Sequence, residues 1–398
     1  MNRINPNNTN CSGCTACSKA CPTKAITMIS DNMGFYVPNI DDDKCVNCGK
    51  CIKVCQYHTY IQWDKGSKAY GFINCDKKQL KDSSSGSFFA YLAEEYIMNG
   101  GYVCGCIMDD NQNVFHIVSN KKEDIIKMQD SKYVQSDMKE CYIQVIDLLR
   151  SGNSVLFTGT SCQVAGLKLL LRQFRVSDEN LVSVDFFCHG VPSPMIWKDY
   201  INFYCQEKKC RIIKYRFRSK TYGWGKSSRG TYHLNTVWRN RGLIKKDNIT
   251  LAARLWYFIL FSNLCLRPYC YNCPYASLQK PADITMADFW GIEDLHPEID
   301  TRNGCSLIIS RTAKGEKILS HIDKDYVFDT DIKRAIKRQG NAFSSSPDNK
   351  ISKNFWEDYK KYGFRYIAKK YFRYDMIHRT KDILTRLLFK MHLRNLYR

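Results

Sequence analysis

The chain has 398 residues, with 60 Lys and Arg against 39 Asp and Glu, a formal charge of +21, and 20 cysteines. That length accommodates a small domain, one large domain and a tail. The opening MNRINPNNTN is polar and no run of 18 apolar residues occurs, so neither a signal segment nor a spanning helix is expected. A cytoplasmic setting follows, where thiols stay reduced and cysteines serve metal, redox chemistry or packing. Between Lys350 and Arg398, 14 basic residues stand against 4 acidic ones, and 14 − 4 = +10 is nearly half of the excess. The charge therefore points to a basic tail, either a helix lying on an anionic membrane surface or a solvated helix packed against the body; no motif supports nucleic-acid binding.

Eight of the cysteines lie in two copies of one pattern, CSGCTACSKACP (Cys11 to Pro22) and CVNCGKCIKVC (Cys45 to Cys55). Three cysteines two residues apart curl round one face of a cuboidal cluster. The fourth, carried off on the next turn, faces the neighbouring cluster. The expected ligand sets are thus Cys11, Cys14, Cys17 and Cys55 for one 4Fe-4S cluster, and Cys45, Cys48, Cys51 and Cys21 for the other. A zinc pair is the alternative, but zinc sites use separated pairs rather than a triple and a remote fourth. Residues 5–60 resemble the bacterial two-cluster ferredoxin domain, except that Gln56 stands where that pattern has proline.

Farther along, a connector from Gln56 to Asp82 leads to a helix-entry loop, Ser83 to Gly86. A helix through Phe88, Leu92 and Tyr96 follows and ends at Gly100 and Gly101. Strands are expected at Tyr102–Met108 and Val114–Val118, then a polar loop (Asp130–Asp137) and a helix from Lys139 to Arg150. Two strand-to-helix units decide the fold. Ser154–Thr158 feeds a helix opening at Cys162, and Leu181–Phe187 exits at Cys188 towards a helix near Ser193. Such units are parallel and right-handed, so Cys162 and Cys188 should share the ligand-binding rim of the sheet. A basic, aromatic hairpin (Tyr200–Asn248), a helix (Leu251–Asn263), the strands ADITMAD and GCSLIIS, and a linker, Asn341 to Asn349, complete the body. The expected fold is an α+β ferredoxin-like dicluster domain (5–60), an α/β domain with a mainly parallel sheet (83–340) and a basic aromatic helical tail (350–398).

Cys270 and Cys273 form a further C-x-x-C, and with Cys162 and Cys188 they make four thiols leaving turns. Three readings stand: joint ligands of a third cluster, separate roles, or packing. Cys162 opens a helix, where the partial positive charge favours thiolate as ligand or nucleophile. His189, beside Cys188, either donates a proton to substrate or caps the turn. The remaining cysteines are assigned to packing.

TGTSCQVAGL from Thr158, CHGVPSP from Cys188, SKYVQSD from Ser131, RPYCYNCP from Arg267 and ADITMADFWG from Ala282 resemble the coenzyme F420 hydrogenase/dehydrogenase beta-subunit family. The resemblance implies FAD beside iron-sulfur clusters, and electron exchange between a ferredoxin-type carrier and a hydride acceptor or donor. The wording SKYVQSD and DFWGIE is similar to members found in polysaccharide gene clusters, whose small-molecule substrate is unassigned. For a flavin, Ser85, Gly86, Thr158 and Gly159 would offer backbone N–H groups to the pyrophosphate, and Lys132, Tyr133, Gln135 and Ser136 polar side chains. Each could equally be an ordinary cap or turn. Asp283 and Asp288 are ribose acceptors, orienting groups or helix caps. No GxGxxG is present. Two functions follow: a flavin-dependent oxidoreductase, or a non-catalytic electron-transfer subunit of a larger complex.

Overall fold

A computed structural model of the chain describes residues 2–5, 10–60, 68–220, 223–224, 233–240, 243–247 and 250–396. The cysteine-rich segment carries α1 (Ala16–Ala20), the antiparallel pair β1 (Ile26–Ser30) and β2 (Tyr36–Ile40), and α2 (Lys50–Lys53). Both short helices start from a left-handed residue, Thr15 (φ 68°) and Gly49 (φ 72°), at the same place in each cysteine repeat. The backbone thus repeats as the cysteines do.

The body follows with β3 (Lys68–Phe72), α3 (Lys77–Asp82), α4 (Phe88–Met98), β4 (Tyr102–Met108), β5 (Val114–Ser119), α5 (Lys122–Met128) and α6 (Cys141–Arg150). Next come β6 (Val155–Thr158), α7 (Ser161–Phe174), β7 (Leu181–Phe186) and α8 (Pro194–Lys208). A separate antiparallel sheet holds β8 (Arg211–Ser219), β9 (His233–Asn240) and β10 (Leu243–Asp247), ahead of α9 (Leu251–Phe261). The expected hairpin lies in β8 and β9; residues 221–222 and 225–232 between them fall outside the described residues. β11 (Ile284–Asp288), α10 (Ile292–Leu295), β12 (Ser306–Ser310), α11 (Ala313–Ser320), β13 (Val327–Thr330) and α12 (Ile332–Ala335) precede the tail helices α13 (Ser352–Phe372) and α14 (Met376–Leu396).

Eight strands form one mixed sheet in the order β13-β3-β12-β11-β7-β6-β4-β5. Its centre, β11-β7-β6-β4, is parallel; the pairings outside it are antiparallel. The parallel part is the one implied by the β6-α7-β7 crossover. The connector expected between Gln56 and Asp82 contributes an interior strand, β3, held by β12 and β13. Residues alternate between the faces: Phe157 and Cys104 pack under α6 and α7, while Leu156 and Val103 pack under α4. Ala16, Ala20 and Val54 of the cysteine-rich domain join the α6-α7 core, so the two domains share one apolar interior.

Two helix starts follow directly from residue type. Ser193 caps α8, accepting from the Met195 and Ile196 amides, and Pro194 occupies the first turn. In α7 the Gln163 side chain accepts from the Thr160 N–H at 2.9 Å. The stretch Asn341 to Asn349, a linker by composition, is instead tied to the body. Ser346 is buried and its hydroxyl reaches His189, while Ser345 Oγ donates to the Tyr271 carbonyl at 2.5 Å. Small polar residues here satisfy buried partners rather than water.

Candidate iron-sulfur centre

The loop before α1 is held from outside. Gly13 N–H points at Cys11 Sγ at 3.4 Å, and Arg267 Nη1 donates to the Cys11 carbonyl at 2.7 Å. The same buried guanidinium donates to Tyr36 O at 2.7 Å and Gln135 Oε1 at 3.1 Å, and lies over Phe35. Gln135 Nε2 donates to Ser12 O. A Cβ on Gly13 would sit 2.5 Å from Arg267 Nη2, so this close approach, with φ +68°, requires glycine. Gln56, where the ferredoxin pattern has proline, donates its side-chain amide to Ser12 Oγ. Proline has no such donor.

Cys11, Cys14, Cys17 and Cys55 crowd together behind this loop. Burial first, then the neighbouring thiols Cys55, Cys162 and Cys11, pushes the Cys14 thiol up to about 12. Burial, then Cys14, Cys11 and Cys55, raises Cys17 well above its ordinary value. Thiols so placed stay protonated unless a cation offsets the burial, as a bound metal would. The other four, Cys21, Cys45, Cys48 and Cys51, line a single cavity together with Asn2, Arg3 and Gly49. Cys48 there is exposed. Cys21 behaves differently: burial is outweighed by the Thr23 hydroxyl and nearby amides, which lower it.

Three distant segments bring Cys162, Cys188, Cys270 and Cys273 to one edge of the sheet. Parallel pairing of β6 with β7 places Cys162 and Cys188 at neighbouring strand exits. The segment after Cys188 runs beside the one before Cys270: Arg267 N–H donates to Val191 O, and Pro192 bridges Leu266. A Cβ on Gly190 would meet Cys270 Cβ at 3.1 Å. Lys280, 1% exposed, is the strut. Its ammonium donates to Ser161 Oγ (3.1 Å), Phe186 O (3.3 Å) and Tyr275 O (2.9 Å), each one or two residues from a cysteine of the set. Burial, then Cys162, pushes Cys188 up to about 11; burial, then Cys162 and Cys188, pushes Cys273 up to about 12. The depressed thiol expected for Cys162 at its helix start is not found. Burial outweighs the Thr160 hydroxyl (3.0 Å) and Arg267, and raises it. Among the described residues no three His, Cys, Asp or Glu approach as ligands of one ion do; a cubane spreads its sulfurs over separate irons.

The first set packs against α7 at Gly166, one turn after Cys162, and the Cys162 thiol acts on Cys14. A Cβ there would lie 3.3 Å from Cys14 Sγ and 3.1 Å from the Tyr142 hydroxyl, itself bonded to Gln163 O at 2.9 Å. Gly166→Leu should therefore wedge α1 away from α7. For the clusters proposed below on the two sets, the expected result is slower electron exchange with unchanged iron content, measured by freeze-quench spectroscopy; unchanged exchange would contradict the contact's importance.

A family model for the C-terminal part of the coenzyme F420 hydrogenase/dehydrogenase beta subunit matches residues 152–334, and one of the "4Fe-4S dicluster domain" matches residues 10–59. No curated protein matches the chain. Among solved structures, a chain of the xenon-derivatised F420-reducing NiFe hydrogenase complex from Methanosarcina barkeri is similar, with 16% identity and a TM-score of 0.45. The match covers 76% of this chain and 94% of that one.

Within the matched segment and its approaches, the residues expected around a flavin turn inward. Lys132 Nζ gives its three hydrogens to Lys127 O, Met128 O and Gln129 O, capping α5. Ser85 Oγ donates to Cys305 O, the Gly86 N–H to Ser306 Oγ, Thr158 Oγ1 to Cys104 O and the Gly159 N–H to Val184 O. Ser136 Oγ accepts from Gln163, Gln135 serves Arg267 and Ser12, and Tyr133 packs edge-on against Phe217. A Cβ on Gly86 would meet Phe72 O at 2.0 Å, so tight sheet packing accounts for that glycine. These eight residues do not fit a flavin cradle. His189 is held on both ring nitrogens, by Asn263 Oδ1 at 2.8 Å and Ser346 Oγ at 3.2 Å, and burial lowers its pKa. This is the turn-fixing alternative.

Sequence reasoning assigned no role to Arg267 and Lys280. The only signal for them is a cation beside each cysteine segment, in RPYC and LQKPAD. At the exit of β11 it named Asp288 but not the partners that gather round it. Arg218 Nη1 lies 2.6 Å from Asp288 Oδ2, and Trp224 Nε1 donates to Asp288 Oδ1. Trp224 and Trp290 stack at 4.9 Å and 5°. Lys220, bonded to Leu80 O and Ser85 O, is pushed down to about 7 by burial and Arg218.

Proposed function

We propose that the chain is an iron-sulfur electron relay in which two N-terminal 4Fe-4S clusters pass single electrons to a third cluster on the α/β body. Cys11, Cys14, Cys17 and Cys55 would hold the inner cluster, Cys21, Cys45, Cys48 and Cys51 the outer one, and Cys162, Cys188, Cys270 and Cys273 the third. Support comes above all from α7, which starts at Cys162 of the third set, packs its Gly166 against Cys14 of the inner set, and leaves the two thiols close enough to influence each other. The outer set, with Cys48 exposed, suits exchange with a ferredoxin-type carrier or another protein of a redox complex. Arg267 and Lys280 would orient the loops, and their charges would favour the reduced clusters.

A second reading adds catalysis: a planar redox group at the exit of β11, near Trp224, Trp290 and the Arg218–Asp288 pair. Strand exits are where ligands bind in open α/β sheets. FAD held there would supply conversion between one-electron and two-electron transfer, and so reduction or oxidation of a small molecule. Service in cell-surface polysaccharide metabolism is the further expectation of the resemblance.

Iron and sulfide content of anaerobically purified protein tests the relay. About twelve irons per chain are expected, falling to about eight in Cys270→Ala/Cys273→Ala with the ferredoxin-like signals retained. Eight irons in the unaltered protein would remove the third cluster. Flavin content of the same sample decides between the two readings.

A further inference from the structure

The last helix faces the opposite way from a helix that serves only its own protein. α14 turns polar side chains towards the body. Asp382 accepts from Arg254 Nη2 at 2.7 Å and from the Leu251 N–H at 3.1 Å, both at the start of α9. Arg379 pairs with Glu207 of α8 at 3.0 Å. These contacts set the roll of the helix about its axis.

With a turn every 3.6 residues, Met376, Ile377, Ile383, Leu384 and Leu387 share an arc of about 120° that excludes Arg379 and Asp382. All five lie open, Met376 76%, Ile377 78%, Ile383 50%, Leu384 55% and Leu387 52% exposed. An apolar row of this length left in water is an interaction surface. Among the described residues no helix is long and apolar enough to cross a membrane, and α14 is no exception. The charge around the row selects the partner. From Arg379 to Arg398 there are six basic residues and one acid, Asp382, and that acid is already paired to Arg254. Lys381, beside the row, is exposed. Arg379 is held by Glu207, and the other bases follow along the same stretch of sequence; an apolar stripe in so cation-rich a segment is the composition of a helix lying in the plane of an anionic lipid surface.

We propose that α14 is an in-plane anchor that seats the protein on an anionic bilayer. The five aliphatic side chains enter the acyl boundary and the basic residues meet headgroup phosphates. The Asp382–Arg254 and Arg379–Glu207 pairs fix the angle at which the body is presented. The proposal stands apart from the redox reading, since it needs no cluster.

Sedimentation of the intact, iron-loaded protein with vesicles tests it. Strong binding is expected to vesicles of phosphatidylcholine with about one-third phosphatidylglycerol, weak binding to phosphatidylcholine alone, and loss of binding at high salt. Ile383→Asp/Leu387→Asp should weaken binding at least tenfold, and Lys381→Glu several-fold, with iron content and absorbance unchanged. Equal binding by the double variant and the unaltered protein overturns the proposal. So does a dimer in lipid-free solution that becomes a monomer in the double variant without any vesicle binding, because the row is then the interface between two copies.

Discussion

Arg267→Gln is expected to lower the reduction potential of the cluster proposed on Cys11, Cys14, Cys17 and Cys55 by roughly 50–100 mV, and Arg267→Lys to move it far less. The guanidinium is 2% exposed and bonded to the Cys11 carbonyl, and it also lowers the Cys162 thiol against the effect of burial. An added electron at either thiol set is stabilised by this cation. With an effective dielectric near 20, the attraction is about 1–2 kcal/mol over the distances of a cluster's near edge, which for one electron is the stated shift. Removing the positive charge disfavours reduction, so the potential must become more negative. Lysine keeps the charge but cannot serve Cys11 O, Tyr36 O and Gln135 Oε1 together in one plane. Potentiometric titration followed by electron paramagnetic resonance reads the difference. Equal shifts in both variants would assign Arg267 to loop geometry alone, and no shift in either would separate it from the clusters.

The same residue marks the limit of sequence reading. The eight N-terminal cysteines could be read as one motif because their spacing is local: each triple closes its loop within seven residues, and the dicluster match spans them all. The third set draws on three separate segments, and only strand pairing with the Lys280 strut unites them. Spacing could not choose between ligation and packing for Cys162 and Cys188. Polar loops misled in the other direction. SKYVQSD offered Lys132, Gln135 and Ser136 as ligand-facing groups, yet a helix end has open carbonyls and a buried loop has open amides. Those nearby demands took the side chains first. β3 escaped notice because its five residues do not alternate cleanly; Gly71 and Phe72 are both buried. α14 was legible as a basic helical stretch, but not the direction its apolar row faces, which depends on Arg254 and Glu207 far away in the chain.

The largest loss of stability is expected from Asp283→Asn. Asp283 is 1% exposed, accepts from Ser183 N–H (2.9 Å) and Oγ (2.5 Å) and from Thr312 Oγ1 (2.9 Å), and pairs with buried Lys168 of α7 at 3.8 Å. It thus joins β7, β11, α7 and the start of α11, a structural assignment that replaces ribose binding. The two partners titrate unequally. Burial raises Asp283, but Lys168 and the Ser183 donors more than offset it and leave the carboxyl below its ordinary value. Burial wins at Lys168, which is lowered despite Asp283. The intact pair therefore adds little net stability, whereas neutralising Asp283 removes the largest attraction on the buried Lys168 ammonium, leaving the smaller ones of Asp178 and Asp185 opposed by Lys314, and costs about 3–5 kcal/mol. The pH dependence carries the sign. In the unaltered protein the depressed carboxyl stabilises above the unfolded value near 3.8, and this is lost as pH falls through the lower folded value. In Asp283→Asn, Lys168 loses the carboxylate's attraction and binds its proton more weakly folded than unfolded, so the unfolded state holds more protons and stability rises with pH. Anaerobic denaturant titrations at pH 6 and pH 9 should show the variant's deficit shrinking at the higher pH. A deficit that is constant or grows with pH would place the loss in the Ser183 and Thr312 hydrogen bonds rather than in the buried lysine's charge.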